Sequence, residues 1–305
     1  MDNRAIFSFL AATLSRGEGA VLVTVLAVEG SSMRNPGAHM AVAADGSYVG
    51  SLSGGCIEAA VVAEAREVLD AGRARCVRYG AGSPYIDIRL PCGGGLDVHF
   101  LPLSDTALVE RACAALAARV PFTLDLPGGE GRCAEVSHVP NPKLLIVGHG
   151  AAPLSLARQA GAMAADVAIL TPDTELFARA EEASYPVQLL GKTGDTHLLA
   201  SDPWTAIIFL FHDHDWEGRL MARALQLPHF FIGAMGGRKA HAHRVETLRA
   251  LGASAEGIAS IQAPIGLFHS SRDPDTLALS TLAQVVLAYQ QAFLMTPAVR
   301  LPVPA

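Results

Sequence analysis

The sequence predicts an α/β protein in two parts, an α+β domain followed by a domain built on a parallel sheet. Three observations carry this expectation. Residues 1–140 mix helices with strands in no regular order, and turn signals punctuate them. From Lys143 onward, short apolar runs alternate with helical stretches, the pattern of a parallel sheet covered by helices. Between the two lies "DLPGGEGRCAEVSHVPNP", rich in Gly and Pro and without a strong period. The boundary is therefore set at 140/141, with the second domain running to residue 305.

In the first part, Ile6, Phe9, Leu10 and Leu14 fall at helical spacing. "AVLVTVLAVEG" is a β-branched run, read as a buried strand that ends at Gly30. "HMAVAADGSYVGSL" holds Asp45-Gly46 between two apolar runs and predicts a hairpin. "IEAAVVAEAREVLDAG" predicts a helix closed by Gly72. "ARCVRYG" and "LDVHFLPL" read as strands, and "DTALVERACAALAAR" as a helix. The Gly/Pro-rich stretch is expected to hold a short hairpin and the linker, with no special role for Cys133 or His138.

In the second part, "KLLIVG", "DVAILTP", "PVQLLG", "TAIIFLF" and "HFFIGAMG" are the expected strands. "PLSLARQAGAM" and "WEGRLMARALQL" are helices between them, and a long last helix starts near Asp273. This alternation makes the second domain Rossmann-like.

Composition narrows the function. Lys and Arg number 23 against 29 Asp and Glu, a formal charge of −6 and a pI near 6.0. A nucleic-acid surface would need a basic stripe, so none is expected. The five cysteines are odd in number and form no C-x-x-C, which argues against a zinc ribbon or a disulfide framework. Free thiols suit a reducing cytoplasm. The N-terminus carries an early Asp2 and no small-residue cleavage site, so it is read as a helix and not a signal peptide. No uninterrupted apolar run approaches the roughly 18 residues that span a membrane.

Several stretches carry candidate chemistry. "VGHGAAP" sets Gly148 and Gly150 between a strand and a helix, where backbone N–H groups can meet an anion. Pro153 stands at the third glycine position of a dinucleotide fingerprint, and Asp173 stands where a ribose-binding acid would be. The turn thus fits NAD(P) or FAD, or a doubly wound fold that uses it otherwise. "FHDHDW" places His212 and Asp213 at a strand end that faces a ligand in such folds. "GAMGGRK" sets Gly236 ahead of Arg238 and Lys239 in a first helical turn. Cations there oppose the helix dipole unless an anion sits among them. In the first part, Arg34 follows a strand in "VEGSSMRNPG". Cys56 follows Gly54 and Gly55 in "GSLSGGCIEAAV", and Cys92 precedes three glycines in "PCGGGLDVHF". Glycine beside sulfur lets a bulky partner reach it, and a helix N-terminus favours thiolate. Cys76 and Cys113 sit in strand and helix patterns and are expected in the core.

Taken together, these blocks resemble the XdhC/CoxI family, accessory proteins of molybdenum hydroxylases such as xanthine dehydrogenase. "EGSSMRNPGAHM", "GSLSGGCIEAAV" and "PCGGGLDVHF" carry the likeness in the first domain. "LLIVGHGAAPLSLARQAG", "FLFHDHDWEGRLMARAL", "FIGAMGGRKAHAHRVETLRALG" and "IQAPIGL" carry it in the second. The sequence departs from the family pattern at Met33, His39, Ala151, Gly237 and Thr276. The resemblance implies a cytoplasmic chaperone, not a turnover enzyme. Such a protein binds the molybdenum cofactor (a molybdopterin, in some members as a dinucleotide) and holds it while a cysteine desulfurase supplies the sulfido ligand. It then inserts the cofactor into an apo molybdenum hydroxylase. A homodimer is implied as well, and Cys56 becomes the candidate soft ligand to the metal. Two other readings of the residues are an NAD(P)-dependent oxidoreductase and a cysteine hydrolase using Cys56 or Cys92. Neither a hydride-transfer pair nor a nucleophile signature supports them.

Overall fold

The computed structural model describes residues 3–55, 57–83, 93–128, 133–211, 215–268 and 272–301. The chain divides into two units, Met1–Pro140 with Thr296–Ala305, and Asn141–Met295.

The first unit begins with helix α1 (Asn3–Ser15), which buries Ile6, Phe7, Leu10 and Leu14 on one face. Strands β1 (Ala20–Glu29), β2 (His39–Ala43) and β3 (Tyr48–Gly50) follow, then helix α2 (Glu58–Ala71) and strands β4 (Arg75–Gly80) and β5 (Gly95–Leu103). They form an antiparallel sheet in the order β3-β2-β1-β5-β4. The Asp45-Gly46 turn joins β2 to β3. Asp45 accepts from the Ser47 N–H and hydroxyl, and Gly46 takes φ +89°. Gly72 closes α2 at φ +62°, the left-handed cap that glycine makes cheaply.

The alternation of β1 explains its unbroken apolar run. Val21, Val23 and Val25 face α2 with Val61, Ala65 and Val68. Ala20 and Leu22 face the opposite core, formed by α1, helix α3 (Ala107–Ala118) and the hairpin of β6 (Phe122–Pro127) and β7 (Cys133–His138). A strand buried on both faces reads as continuously hydrophobic.

The end of the chain groups with the first unit. The two-residue strand Val299–Arg300 pairs antiparallel with Val136 and Glu135 of β7, and the Ser137 N–H donates to the Ala298 carbonyl. Backbone pairing thus groups the last residues with the first unit.

The second unit is a doubly wound sheet. Its strands are β8 (Lys143–Gly148), β9 (Asp166–Thr171), β10 (Val187–Leu189), β11 (Thr205–Leu210) and β12 (Phe231–Ala234). All pair in parallel, in the order β10-β9-β8-β11-β12. Helices α4 (Ala152–Gly161), α5 (Thr174–Glu182) and α9 (Pro274–Tyr289) cover one face. Helices α6 (Glu217–Ala224), α7 (Arg238–Ala250) and α8 (Ala255–Ser260) cover the other. Asp273 caps α9 by accepting from the Thr276 N–H. With its extension to Leu294, this helix is long and apolar enough to cross a membrane by length and composition. In the fold, Ala278, Leu282 and Val285 turn it into the core.

One buried feature of the first unit escaped the sequence. The imidazoles of His39 and His138 meet at 3.0 Å between their Nε2 atoms, and both rings are buried. Thr24 Oγ1 bonds His39 Nδ1 at 2.8 Å, and the Asn3 amide bonds His138 Nδ1 at 3.3 Å. With the Asn3 NH₂ donating to Nδ1, the His138 Nε2–H is the donor to His39 Nε2. Burial holds both pKa values down, His138 at about 4 and His39 well below its ordinary range, where the facing His138 also disfavours charge. The unfolded chain takes up protons near pH 6.5 and the native pair does not. Stability is therefore complete above pH 6.5 and declines as the pH falls toward 4. Urea unfolding at pH 7.5 and pH 5 should differ by about 2 kcal/mol from His138 alone. The His138→Gln variant should show a visibly flatter dependence over that interval.

Candidate functional site

The first-unit locus is built where three loops touch. The loop after β1 approaches the glycines before β5 so closely that a Cβ on Gly94 would lie 2.3 Å from the Glu29 carbonyl oxygen. Gly30, at φ +76°, would place a Cβ 3.3 Å from the Gly94 Cα. On the other side, a Cβ on Gly54 would stand 2.9 Å from the Met33 sulfur. The three first-domain blocks singled out in the sequence are thus neighbours in space. Gly54 and Gly55 take φ of +76° and +111°, a backbone that side chains rarely adopt. Among the described residues, Met33 fills the space beside Gly54 and none comes within 4 Å of a Cβ at Gly55. Arg34 is half-buried, with its N–H bonded to Ser32 Oγ.

A residue that sequence reasoning passed over organises this locus. Glu58, the first residue of α2, is 6% exposed, and its carboxylate turns back over the preceding loop. Oε1 accepts from Ser51 Oγ (2.6 Å), the Leu52 N–H (3.1 Å) and the Ser53 N–H (2.9 Å). Oε2 accepts from Ser53 Oγ (2.7 Å), the Gly55 N–H (2.8 Å) and the Ile57 N–H (3.2 Å). Burial alone would raise its pKa, but the hydroxyls of Ser51 and Ser53 and the backbone N–H groups outweigh that and hold it at about 2. The signal was present in "SLSGGCIE": an acid just past a loop of serines and glycines.

The second-unit locus lies at the C-terminal ends of the parallel strands, where the order reverses between β8 and β11. Ligands bind at this point in open α/β sheets. A Cβ on Gly148 would sit 2.5 Å from the Leu210 carbonyl oxygen, so β8 and β11 pack this closely only through glycine. Gly150, at φ +76°, has open space beside its Cα. Its N–H donates to Asp173 Oδ2 at 3.1 Å, while Oδ1 caps α5 through the Glu175 and Leu176 N–H groups. Asp173 therefore spends its carboxylate on the protein. His149, between the two glycines and unremarked in the sequence, meets the Phe211 ring in a tilted contact with centroids 5.5 Å apart.

One buried ion pair ties the next two loops together. Arg244 of α7 and Glu217 of α6, 3% and 2% exposed, meet at 3.0 Å. The same guanidinium nitrogen donates to the Met235 carbonyl at 2.8 Å, in the loop that leads to Gly236. Gly236 has φ +112°, and a Cβ there would press on Ala240 at 2.9 Å. Gly237 is the N-cap of α7 and no side chain caps the first turn, where Arg238 and Lys239 are exposed.

Cys56, Cys92, His212 and Asp213 lie outside the described residues. Among those described, no group of three or more His, Cys, Asp or Glu could hold a metal. Cys76 and Cys113, expected in the core, are exposed and half-buried. Cys76 turns outward from the β4 end of the sheet, away from the α2 core that Val77 and Tyr79 join.

Comparison with known proteins places this architecture. A model of the XdhC and CoxI family matches residues 13–80, and a model of the XdhC Rossmann domain matches residues 144–285. A protein of Escherichia coli (strain K12) named molybdenum cofactor insertion chaperone PaoD is 36% identical over 299 residues, spanning 93% of this chain and 88% of that protein. The chain belongs to the XdhC and CoxI family. This XdhC-type chain is also 23% identical over 273 residues to the uncharacterized protein YqeB of the same E. coli strain, covering 84% of the chain and 41% of YqeB. A crystal structure described as a xanthine dehydrogenase from Bacillus halodurans shares the fold, with a TM-score of 0.79 and 19% identity over 97% of this chain and 98% of that one.

The ion pair and the glycine turn make separable predictions. Glu217→Gln or Arg244→Met leaves one buried charge without its partner and should cost about 3–5 kcal/mol in chemical denaturation. Gly148→Ala drives a methyl into backbone and should destabilise strongly. Gly237→Ala, with φ −72° and no described atom within 4 Å, should cost far less, about 1 kcal/mol for the poorer N-cap.

Proposed function

We propose that the protein is a molybdenum-cofactor-binding chaperone that holds the cofactor for sulfuration and inserts it into an apo molybdenum hydroxylase of the xanthine dehydrogenase type. The observation that carries this reading is the 36% identity, over nearly the whole of both chains, to a protein named for molybdenum cofactor insertion. The cofactor is cargo here, not a resident prosthetic group. Its chemistry asks for a soft sulfur donor and for donors to a phosphate. Cys56, next to the loop that Glu58 fixes, is the candidate soft ligand to molybdenum, with Cys92 as the second candidate. The uncapped start of α7, with Gly236, Arg238 and Lys239, is suited to the phosphate of the pterin, alone or extended by a nucleotide. His212 and Asp213 follow β11 at the switch point and would face the same ligand. Arg34 and the turn of Gly148 and Gly150 complete the two sets.

A cysteine desulfurase is the partner that this role requires for sulfuration. A homodimer in the cytoplasm completes the reading, and the exposed Cys76 thiol suits a reducing compartment. Against the nicotinamide alternative, the acid expected on a ribose is engaged with Gly150, Glu175 and Leu176.

Protein purified from molybdenum-replete cells should release a molybdopterin, identified by mass spectrometry, while a titration with NADH or NADPH should show no binding. Arg238→Ala with Lys239→Ala should weaken cofactor affinity about tenfold, or ~1.4 kcal/mol, and leave the unfolding transition unchanged. Cys56→Ser should abolish activation of the client hydroxylase in a folded protein. If only Cys92→Ser does so, the two thiols exchange roles.

A further inference from the structure

The loop from Ser51 to Ile57 has the features of an anion-binding nest, with backbone N–H groups and hydroxyls turned to one point. In most such loops the point is held by a phosphate or another free anion. Here it is held by the chain's own Glu58. Four N–H groups (Leu52, Ser53, Gly55 and Ile57) and two hydroxyls (Ser51 and Ser53) end on its two oxygens. The serines also relay the network outward. Ser51 Oγ accepts from the Gly54 N–H at 3.0 Å, and Ser53 Oγ accepts from the Ile57 N–H at 3.1 Å. The N–H groups of residues 52–55 and 57 are all engaged through this one carboxylate, directly or at one remove. Gly54 and Gly55 supply the positive φ values that turn these groups inward.

We infer that Glu58 is a positioning residue: its carboxylate is the resident anion of the Ser51–Ile57 loop, fixing the backbone on both sides of Cys56 and closing this loop to the anionic groups of a ligand. The inference rests on the assignment of a functional thiol to this loop. The N–H groups of residues 52–55 and 57 are then not vacant for a cofactor phosphate. The resident carboxylate also explains why the glycines are needed even where no ligand presses on them.

The test is chemical replacement of the missing carboxylate. Glu58→Ala leaves six donors around an empty position, and a small free carboxylate can fill it. The Tm of Glu58→Ala should lie below that of the unmodified protein. Formate at about ten times its dissociation constant should raise the variant's Tm by roughly 4 °C, with no rise in the unmodified protein or with chloride at equal ionic strength. A second readout concerns position and not stability. Below both melting points, the rate of alkylation at Cys56 by iodoacetamide, read by peptide mass spectrometry, should change severalfold in Glu58→Ala and return toward the original in formate. Glu58→Gln fills the space but turns an NH₂ toward donors, so it should show the altered rate without response to formate. A Glu58→Ala Tm that ignores formate, or a Cys56 rate unchanged by the substitution, overturns the inference. If Glu58→Ala does not accumulate folded, refolding in formate against chloride reads the same point. Recovery in formate alone supports it, and equal recovery or none in both overturns it. No readout involves molybdenum, so failure here is distinguishable from failure of the chaperone assignment.

Discussion

The Glu58 carboxylate is the constraint on which the first unit's candidate site depends. Its six hydrogen bonds convert a stretch of serines and glycines, which has little intrinsic preference, into a single backbone path. A buried carboxylate without these donors would be costly, and the donors without the carboxylate would be unsatisfied in a partly buried loop. Each side therefore requires the other. The loop after β1 meets this path where Met33 lies against Gly54, and meets the glycines before β5 where the Glu29 carbonyl lies against Gly94.

The second unit solves the same problem with opposite charges. Its strands end in loops whose positions must be held while their N–H groups stay available. The Arg244–Glu217 pair does the holding, from beneath, by engaging the Met235 carbonyl and the start of α6. No side chain caps the start of α7, where Arg238 and Lys239 are exposed. One unit has filled its nest with an internal anion and the other has left a helix start uncapped.

Most of the fold was legible because its signals are local. Ile6, Leu10 and Leu14 set the first helix, Asp45-Gly46 the hairpin, Gly72 the end of α2 and Asp273 the start of α9. The five parallel strands stood out as short apolar runs. What the sequence hid are contacts between distant residues. His39 and His138 are 99 positions apart, and neither has a neighbour that announces the other. Glu217 and Arg244 lie on separate helices, and only folding buries them together. Val299–Arg300 follows a long helix of the second unit, so only the pairing with β7 reveals where it belongs. At the candidate site, the glycine turns were visible as punctuation, while Glu58 passed for a first-turn acid. Its partners precede it in a loop with no period to read.

The central claim is that this protein carries a cofactor and gives it up. The direct measurement is transfer. Protein loaded in molybdenum-replete cells and freed of unbound ligand is mixed with the apo form of a molybdenum hydroxylase from the same cell. Molybdenum is then followed in each protein after separation, together with hydroxylase activity. The account predicts that molybdenum leaves this chain, appears in the hydroxylase and brings activity in proportion. Molybdenum that stays with this chain, or activity that appears equally with the unloaded protein, would contradict it.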